Sequence, residues 1–374
     1  MKSSVAVVGV GTTGFGRLPD RTSFDLGVEA LQAALDDAGL EAADIDGLVV
    51  ARIPDNQRFA ELAGLAPNVS STWPAAGRIC GIAIAYAAML IESGQARRVA
   101  LVYGNDGRSA GATYGGAGDA YGGGMSFWAP YGMTSPGAFH ALMYARYAHE
   151  HRSDPAALAE ISLTFRRHAA LNPLAVMQKA LTRDDYFASR YIAEPLRLLD
   201  YCLINDGGVA MIMSAAQEAR GLAKPPVYLA GHGQCADFAG ASFPPADHWR
   251  GALASAHESA RAMAGRGAAD ADALMLYDNF TPAVLFELEG LGLAEAGRAD
   301  RLVLDGALGL QGAHPANPSG GHLSESYMQG WALNVEAVRQ IRGEALARQI
   351  PGAATIVYAC AAPQSSVLIY GGEA

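Results

Sequence analysis

Apolar residues recur at two spacings along the chain, and the change between them marks its elements. VAVVGV (5–10) is continuously apolar, as a strand covered by helices on both faces must be. Leu26, Ala30, Leu31, Ala34 and Leu35 then recur every three or four positions. Thr22-Ser23-Phe24-Asp25 offers a capped start and Gly39 a stop, so a helix is predicted between them. IDGLVVA (45–51) is the next strand. Cys80 opens a further helix predicted to run to Ser93, with Ile82, Ala83, Tyr86 and Leu90 at apolar positions.

The same order returns later. VYLAGHG (227–233) is similar to VAVVGVG (5–11), with Gly231 and Gly233 in the places of Gly9 and Gly11. A helical stretch, Ala252–Met263, follows, and DADALMLY (270–277) parallels DIDGLVVA (44–51). RVALVYG (98–104) matches ATIVYAC (354–360), each behind a helix. Three matched pieces in one order predict an internal duplication of two α/β halves, 1–220 and 221–374. The first half carries an insertion, about 105–200. There GGAGDAYGGGMSFWAPYGMTSPG (115–137) reads as a loop, with helices predicted over Ala138–His151 and Asp154–Ala170. Long excursions from a compact core are often where a substrate is gripped.

Composition then removes whole classes of function. The net charge is −10 with no Lys/Arg block, which argues against a nucleic-acid surface. No apolar run approaches the ~18 residues of a membrane span. MKSSVAVVGVG reads as a first strand rather than a signal peptide, so a cytoplasmic protein is expected. Cys80, Cys202, Cys235 and Cys360 show no CxxC spacing, and none of the nine histidines has metal-ligand spacing. No metal site is expected.

Several stretches carry candidate chemistry beside a plainer reading. Gly9-Val10-Gly11-Thr12-Thr13-Gly14 satisfies GxGxxG, but the next helix begins near Ser23 and no acidic residue closes the next strand. A structural turn is the better reading than a dinucleotide site. Cys80, at a helix N-terminus, is either an activated thiol or a small buried apolar residue, and the second reading is preferred. Asn205-Asp206-Gly207-Gly208 reads as a tight turn. Tyr277-Asp278-Asn279-Phe280-Thr281-Pro282 ends a strand, where active-site residues collect in α/β sheets.

The duplicated halves, the helix ending Ile91-Glu92-Ser93-Gly94, the YDNFTP stretch and NPSGGHLSESYMQG (317–330) together resemble the thiolase superfamily over nearly the whole chain. The resemblance implies a layered αβαβα fold, a homodimer and an acyl-CoA substrate. It also shows departures. The nucleophilic cysteine position falls on Gly77, the histidine position of the GHP loop is Tyr327, and the other histidine or asparagine position is Tyr277. Cys360 keeps the place of the second catalytic cysteine. The two tyrosines, the segment HAALNPLAVMQKALTRDDY (168–186) and SGGxxSExYxxG resemble the thiolase-like aldolases of bacterial sterol side-chain degradation, once named lipid-transfer proteins.

That narrower resemblance implies retro-aldol cleavage of a β-hydroxyacyl-CoA, with no covalent intermediate, to a ketone and a shorter acyl-CoA such as propionyl-CoA. It also implies a small partner with an OB fold and a zinc ribbon. No bound cofactor is expected, because the CoA thioester is itself the substrate. Tyr277 and Tyr327 are expected to move the protons. His322, Asp278, Asn279, Glu325 and Cys360 are the supporting candidates, and Gly320 and Gly321 are candidate backbone contacts to the substrate. The alternatives are a Claisen-type acetyl-CoA acyltransferase using Cys80 or Cys360, and a non-catalytic acyl-CoA or sterol carrier.

Overall fold

The computed structural model describes residues 3–74, 76–112, 129–133, 135–238 and 245–372. In chain order the strands are β1 Val5–Thr12, β2 Gly47–Ala51, β3 Val69–Trp73, β4 Arg98–Asn105, β5 Tyr191–Ala193, β6 Leu196–Arg197, β7 Gly207–Ala215, β8 Val227–Ala236, β9 Ala273–Leu276, β10 Thr355–Cys360 and β11 Gln364–Gly371. β5 and β6 pair with each other, and the other nine form one sheet in the order β3-β2-β4-β7-β1-β8-β11-β10-β9.

Counted outward from the middle, the two sides of this sheet are alike. β1-β7-β4-β2 on one side corresponds to β8-β11-β10-β9 on the other. In each, the first three strands pair antiparallel and the last two parallel. Both contain a register shift at the same place, around Val8 in β1 and Ala230 in β8. β1 and β8 meet through two residue pairs, Ala6–Tyr228 and Val7–Val227. The two sides of the sheet thus repeat one set of strand directions and one register shift.

The repeated glycines explain how each half packs its outer helix. A Cβ on Gly11 would lie 2.2 Å from the Ala30 carbonyl oxygen, and one on Gly233 would lie 2.0 Å from that of Ala256. The GxGxxG stretch thus serves close helix–strand packing, and the structural reading of it holds. The helix against β1 spans Ser23–Ala38 as the periodicity predicts. Thr22 accepts the Asp25 N–H, the Asp25 carboxylate accepts the Thr22 N–H, and Gly39 ends the helix in the left-handed region.

Alternating strand residues feed three cores. Ala6, Val8, Leu48 and Val50 pack outward on the Ser23–Ala38 helix. Val5, Val7, Val49 and Val99 face the other way, onto the helices Cys80–Glu92 and Trp331–Arg342. Met275, Tyr358 and Leu368 of the second half join that same middle core. Leu274, Leu276, Val357 and Ile369 pack on the opposite side against the helices Arg250–Ala264 and Thr281–Gly290. The insertion helices Pro136–His151 and Ala156–Ala169 complete that outer layer. Helices thus lie between the two halves of this sheet and outside each half, which is the expected five-layer αβαβα order. Most of the glycine-rich stretch 115–137 lies outside the described residues. Among the described residues, no helix is long and apolar enough to cross a membrane.

Candidate active site

β9 and β10 run parallel and end side by side. Tyr277 follows β9 directly, and its N–H donates to the Ala359 carbonyl at 3.0 Å, so the phenol is fixed at the strand end. Cys360 is the last residue of β10. A single 3-10 turn, Gly77–Ile79, leads into the Cys80–Glu92 helix. These pieces and the 317–330 loop surround a cleft of about 290 Å³. Gly77, Arg78, Tyr277, Asn279, Tyr327 and Cys360 are among the residues that line it.

The two phenol oxygens, Tyr277 Oη and Tyr327 Oη, lie 3.0 Å apart, and either can donate. Fifty residues of sequence separate them, and only the fold brings them together. Gly77 explains how Tyr277 fits. A Cβ at residue 77 would lie 1.5 Å from the Tyr277 hydroxyl and 2.6 Å from Cζ. The phenol occupies the space that any side chain at the nucleophile position would need. The departures at 77 and 277 are thus two sides of one steric exchange. Burial, then the neighbouring Tyr327 and Cys360, push the Tyr277 pKa well above that of a free phenol. Tyr277 is therefore held protonated.

His322 fills the angle between the phenols, its ring centroid 4.6 Å from that of Tyr277 and 5.1 Å from that of Tyr327. Its nitrogens point elsewhere. Nε2 accepts the Gly330 N–H at 3.0 Å, which places the ring proton on Nδ1, facing Asp278 Oδ1 at 3.4 Å. Burial pushes the His322 pKa down to about 3 and that of Asp278 up to about 7. We take His322 as neutral at neutral pH. Asp278 accepts the backbone N–H groups of His322 and Leu323, tying the loop to the end of β9. Both residues support the tyrosines and neither carries a free base into the cleft.

Two expectations need correction. Gly320 and Gly321 do not line the cleft: both are buried, and their N–H groups donate to Asn317 O (2.9 Å) and to Ser319 Oγ (3.4 Å). Gly321 is required by space and conformation together. Its φ is +61°, and a Cβ there would lie 2.3 Å from Asp278 Oδ2. Glu325 is also turned away. Its carboxyl accepts from Asn172 Nδ2 at 2.9 Å and from Ser319 Oγ at 2.8 Å, and burial pushes its pKa up to about 8. It fastens the loop to the insertion.

Cys80 behaves as the small buried residue preferred above. Its sulfur accepts from Asn334 Nδ2 at 3.5 Å, and burial raises its pKa well above the ordinary thiol value. Cys360 and Asn279 line the cleft beside Tyr277. Burial likewise keeps the Cys360 thiol protonated.

One positioning residue is not evident from the sequence. Asn205 Oδ1 accepts the Tyr327 N–H at 2.7 Å, and the Asn205 carbonyl accepts from Asn105 Nδ2 at 2.8 Å. The first half therefore holds the loop of the second half that carries Tyr327. The signal was the Asn-Asp-Gly-Gly stretch itself, whose turn chemistry concealed it. The insertion side chains Phe139 and His140, and Trp249 of the second half, also line the cleft unannounced, because apolar residues on a helix look like core.

A thiolase-type frame with glycine at the nucleophile position, and two phenols in hydrogen-bond contact there, defines a carbon–carbon lyase of aldolase type rather than an acyl transferase. Comparison with known proteins agrees. Residues 245–369 match the family described as "Thiolase C-terminal domain-like". The steroid side-chain-cleaving aldolase of Thermomonospora curvata is 32% identical, over 100% of this chain and 99% of its own. The 17-hydroxy-3-oxo-4-pregnene-20-carboxyl-CoA lyase of Mycobacterium tuberculosis is 34% identical, over 92% of each chain. The solved Ltp2-ChsH2(DUF35) aldolase superposes with a TM-score of 0.89 at 30% identity, over 99% of this chain and 98% of that one. An acetyl-CoA acetyltransferase of Methanothermobacter thermautotrophicus is 32% identical over 93% of this chain and 94% of its own. The chain belongs to the thiolase superfamily and, within it, to the thiolase-like aldolases.

Proposed function

We propose that the substrate is a β-hydroxyacyl-CoA thioester bearing a steroid on its β-carbon, cleaved to a ketone and a short acyl-CoA such as propionyl-CoA. The 3.0 Å contact between Tyr277 Oη and Tyr327 Oη above Gly77 carries the reading. A retro-aldol moves one proton from the β-hydroxyl to Cα. As the hydroxyl proton leaves, the Cα–Cβ bond electrons pass to Cα, the β-carbon becomes a ketone and a thioester enolate forms. Protonation at Cα then completes the acyl-CoA.

A free phenol, with pKa ~10, is a poor base at neutral pH. Two phenols in contact avoid that difficulty. Tyr327 takes the hydroxyl proton as it passes its own to Tyr277, and Tyr277 delivers its proton to Cα. Both tyrosines begin and end neutral, so no cofactor is needed for the balance. The half-buried position of Tyr327, against the full burial of Tyr277, supports this division.

We further propose a homodimer and a small OB-fold, zinc-ribbon partner. Strand β3 lies at one edge of the sheet, an edge available to a second copy. The partner rests on the solved aldolase, whose name couples Ltp2 with ChsH2(DUF35). A cytoplasmic location fits four free cysteines and a CoA substrate.

Steady-state turnover of a steroid β-hydroxyacyl-CoA tests the reaction. Tyr277→Phe and Tyr327→Phe should each lose about 10²–10⁴ in kcat while staying folded. Cys80→Ser should keep its rate. Near wild-type turnover in both tyrosine variants would sink the proposal.

A further inference from the structure

One end of the cleft plays no part in the proton transfers. Phe139, on the first turn of the Pro136–His151 helix, and Trp249, just before the Arg250–Ala264 helix, stack with ring planes 10° apart and centroids 6.1 Å apart. Ala361, Ala362 and Pro363, continuing from β10, also line the cleft with small or rigid side chains. That segment is fixed from behind, because the buried Glu287 carboxyl accepts the Ala361 N–H at 3.0 Å.

Trp249 is held under strain. His248 and Trp249 both adopt left-handed backbone, with φ 58° and 63°. For residues with a Cβ this costs roughly 1–2 kcal/mol each. The conformation is kept by the Trp249 N–H donating to Asp247 Oδ1 at 3.1 Å, and by His248 Nε2 at 3.2 Å from the Met143 carbonyl. Met143 lies on the same helix as Phe139. Strain of this kind persists where surrounding structure enforces it, and it clusters at ligand clamps. The adjoining His140 stacks on Phe280 at 4.2 Å, and burial pushes its pKa down to about 4, so this end carries no imidazolium at neutral pH.

We propose that Phe139 and Trp249 form the subsite that selects the carbon skeleton on the β-carbon, and that they favour a rigid, flat, apolar ring system over a flexible chain. This deepens the function proposed above and rests on it. The β-carbon must sit at the phenols, so its substituents share their cleft. A stacked aromatic face gives a ring body continuous contact, while a flexible chain loses rotamer freedom to achieve the same.

Binding separates this subsite from turnover. Titration calorimetry of the full chain with a fused-ring steroid ketone, carrying no CoA, should show Kd rising about tenfold or more in Trp249→Ala and in Phe139→Ala, an aromatic contact's worth of free energy. Trp249→Phe should recover most of it, which guards against simple misfolding. In turnover, kcat/KM for the ring-bearing β-hydroxyacyl-CoA should fall similarly, and that for an acyclic one of equal carbon count should hardly move. Unchanged Kd in both alanine variants, or equal losses for ring and acyclic substrates, overturns the subsite. Ring binding through these residues with no cleavage of any β-hydroxyacyl-CoA supports the subsite and overturns the proposed function instead.

Discussion

Gly77→Ala replaces a hydrogen with a methyl group at the point where the fold has no room. The new Cβ would stand 1.5 Å from the Tyr277 hydroxyl. To reach an ordinary contact of ~3.5 Å the hydroxyl must retreat by roughly 2 Å. The ring cannot take up that shift easily, because His322 packs on it with ring centroids 4.6 Å apart. Such a shift breaks the 3.0 Å contact with Tyr327. Gly77 is absent from the positive-φ residues, so alanine brings no backbone penalty and the effect isolates the steric clash. Overpacking of this kind costs about 1–3 kcal/mol of stability. Loss of the proton path costs about 10²–10⁴ in kcat, or roughly 3–5 kcal/mol in the barrier. Parallel measurements of Tm and retro-aldol kcat on Gly77→Ala, Tyr277→Phe and the double variant would test this. The double variant should be scarcely slower than Tyr277→Phe, because both changes remove the same hydroxyl from the same place. Gly77→Ala with unaltered kcat would refute the reasoning.

Two further outcomes follow from the loop around Tyr327. Asn205→Ala leaves the Tyr327 N–H without its acceptor, costing about 1–3 kcal/mol and misplacing the phenol, so kcat should fall with little change in KM; an unchanged kcat would remove Asn205 from the site. Glu325 has a folded pKa of about 8, above its ordinary value of 4.5, so the folded state holds a proton that the unfolded state releases between them. Its contribution is full below the ordinary value and lost as pH rises through about 8, at up to ~1.4 kcal/mol per pH unit. Wild-type Tm should therefore fall more steeply than that of Glu325→Gln from pH 5 to pH 8, and parallel curves would show that Glu325 is ionised in the fold.

Much of this protein was legible in the sequence because the relevant physics is local. Continuous apolar runs become strands buried on both faces, as at β1, and Thr22 and Gly39 bound a helix by satisfying its end groups wherever it packs. Gly9, Gly11, Gly231 and Gly233 repeat because each half needs the same close helix–strand contact, so the duplication could be read from spacing. The substitutions at Gly77, Tyr277 and Tyr327 were also visible, though as three separate departures. Their meaning depended on distances across the fold. Only tertiary structure could set the Tyr277 phenol into the space above Gly77, 200 residues away, and bring it to Tyr327. Direction was equally unreadable. His322 and Glu325 lie within a few residues of Tyr327, yet their polar atoms turn to Gly330, Asn172 and Ser319. Asn205, distant in sequence, supplies the contact that holds the loop. Sequence sets periodicity, caps and residue chemistry; which way a buried polar group faces is settled by whichever unpaired donor or acceptor the packed layers bring within reach.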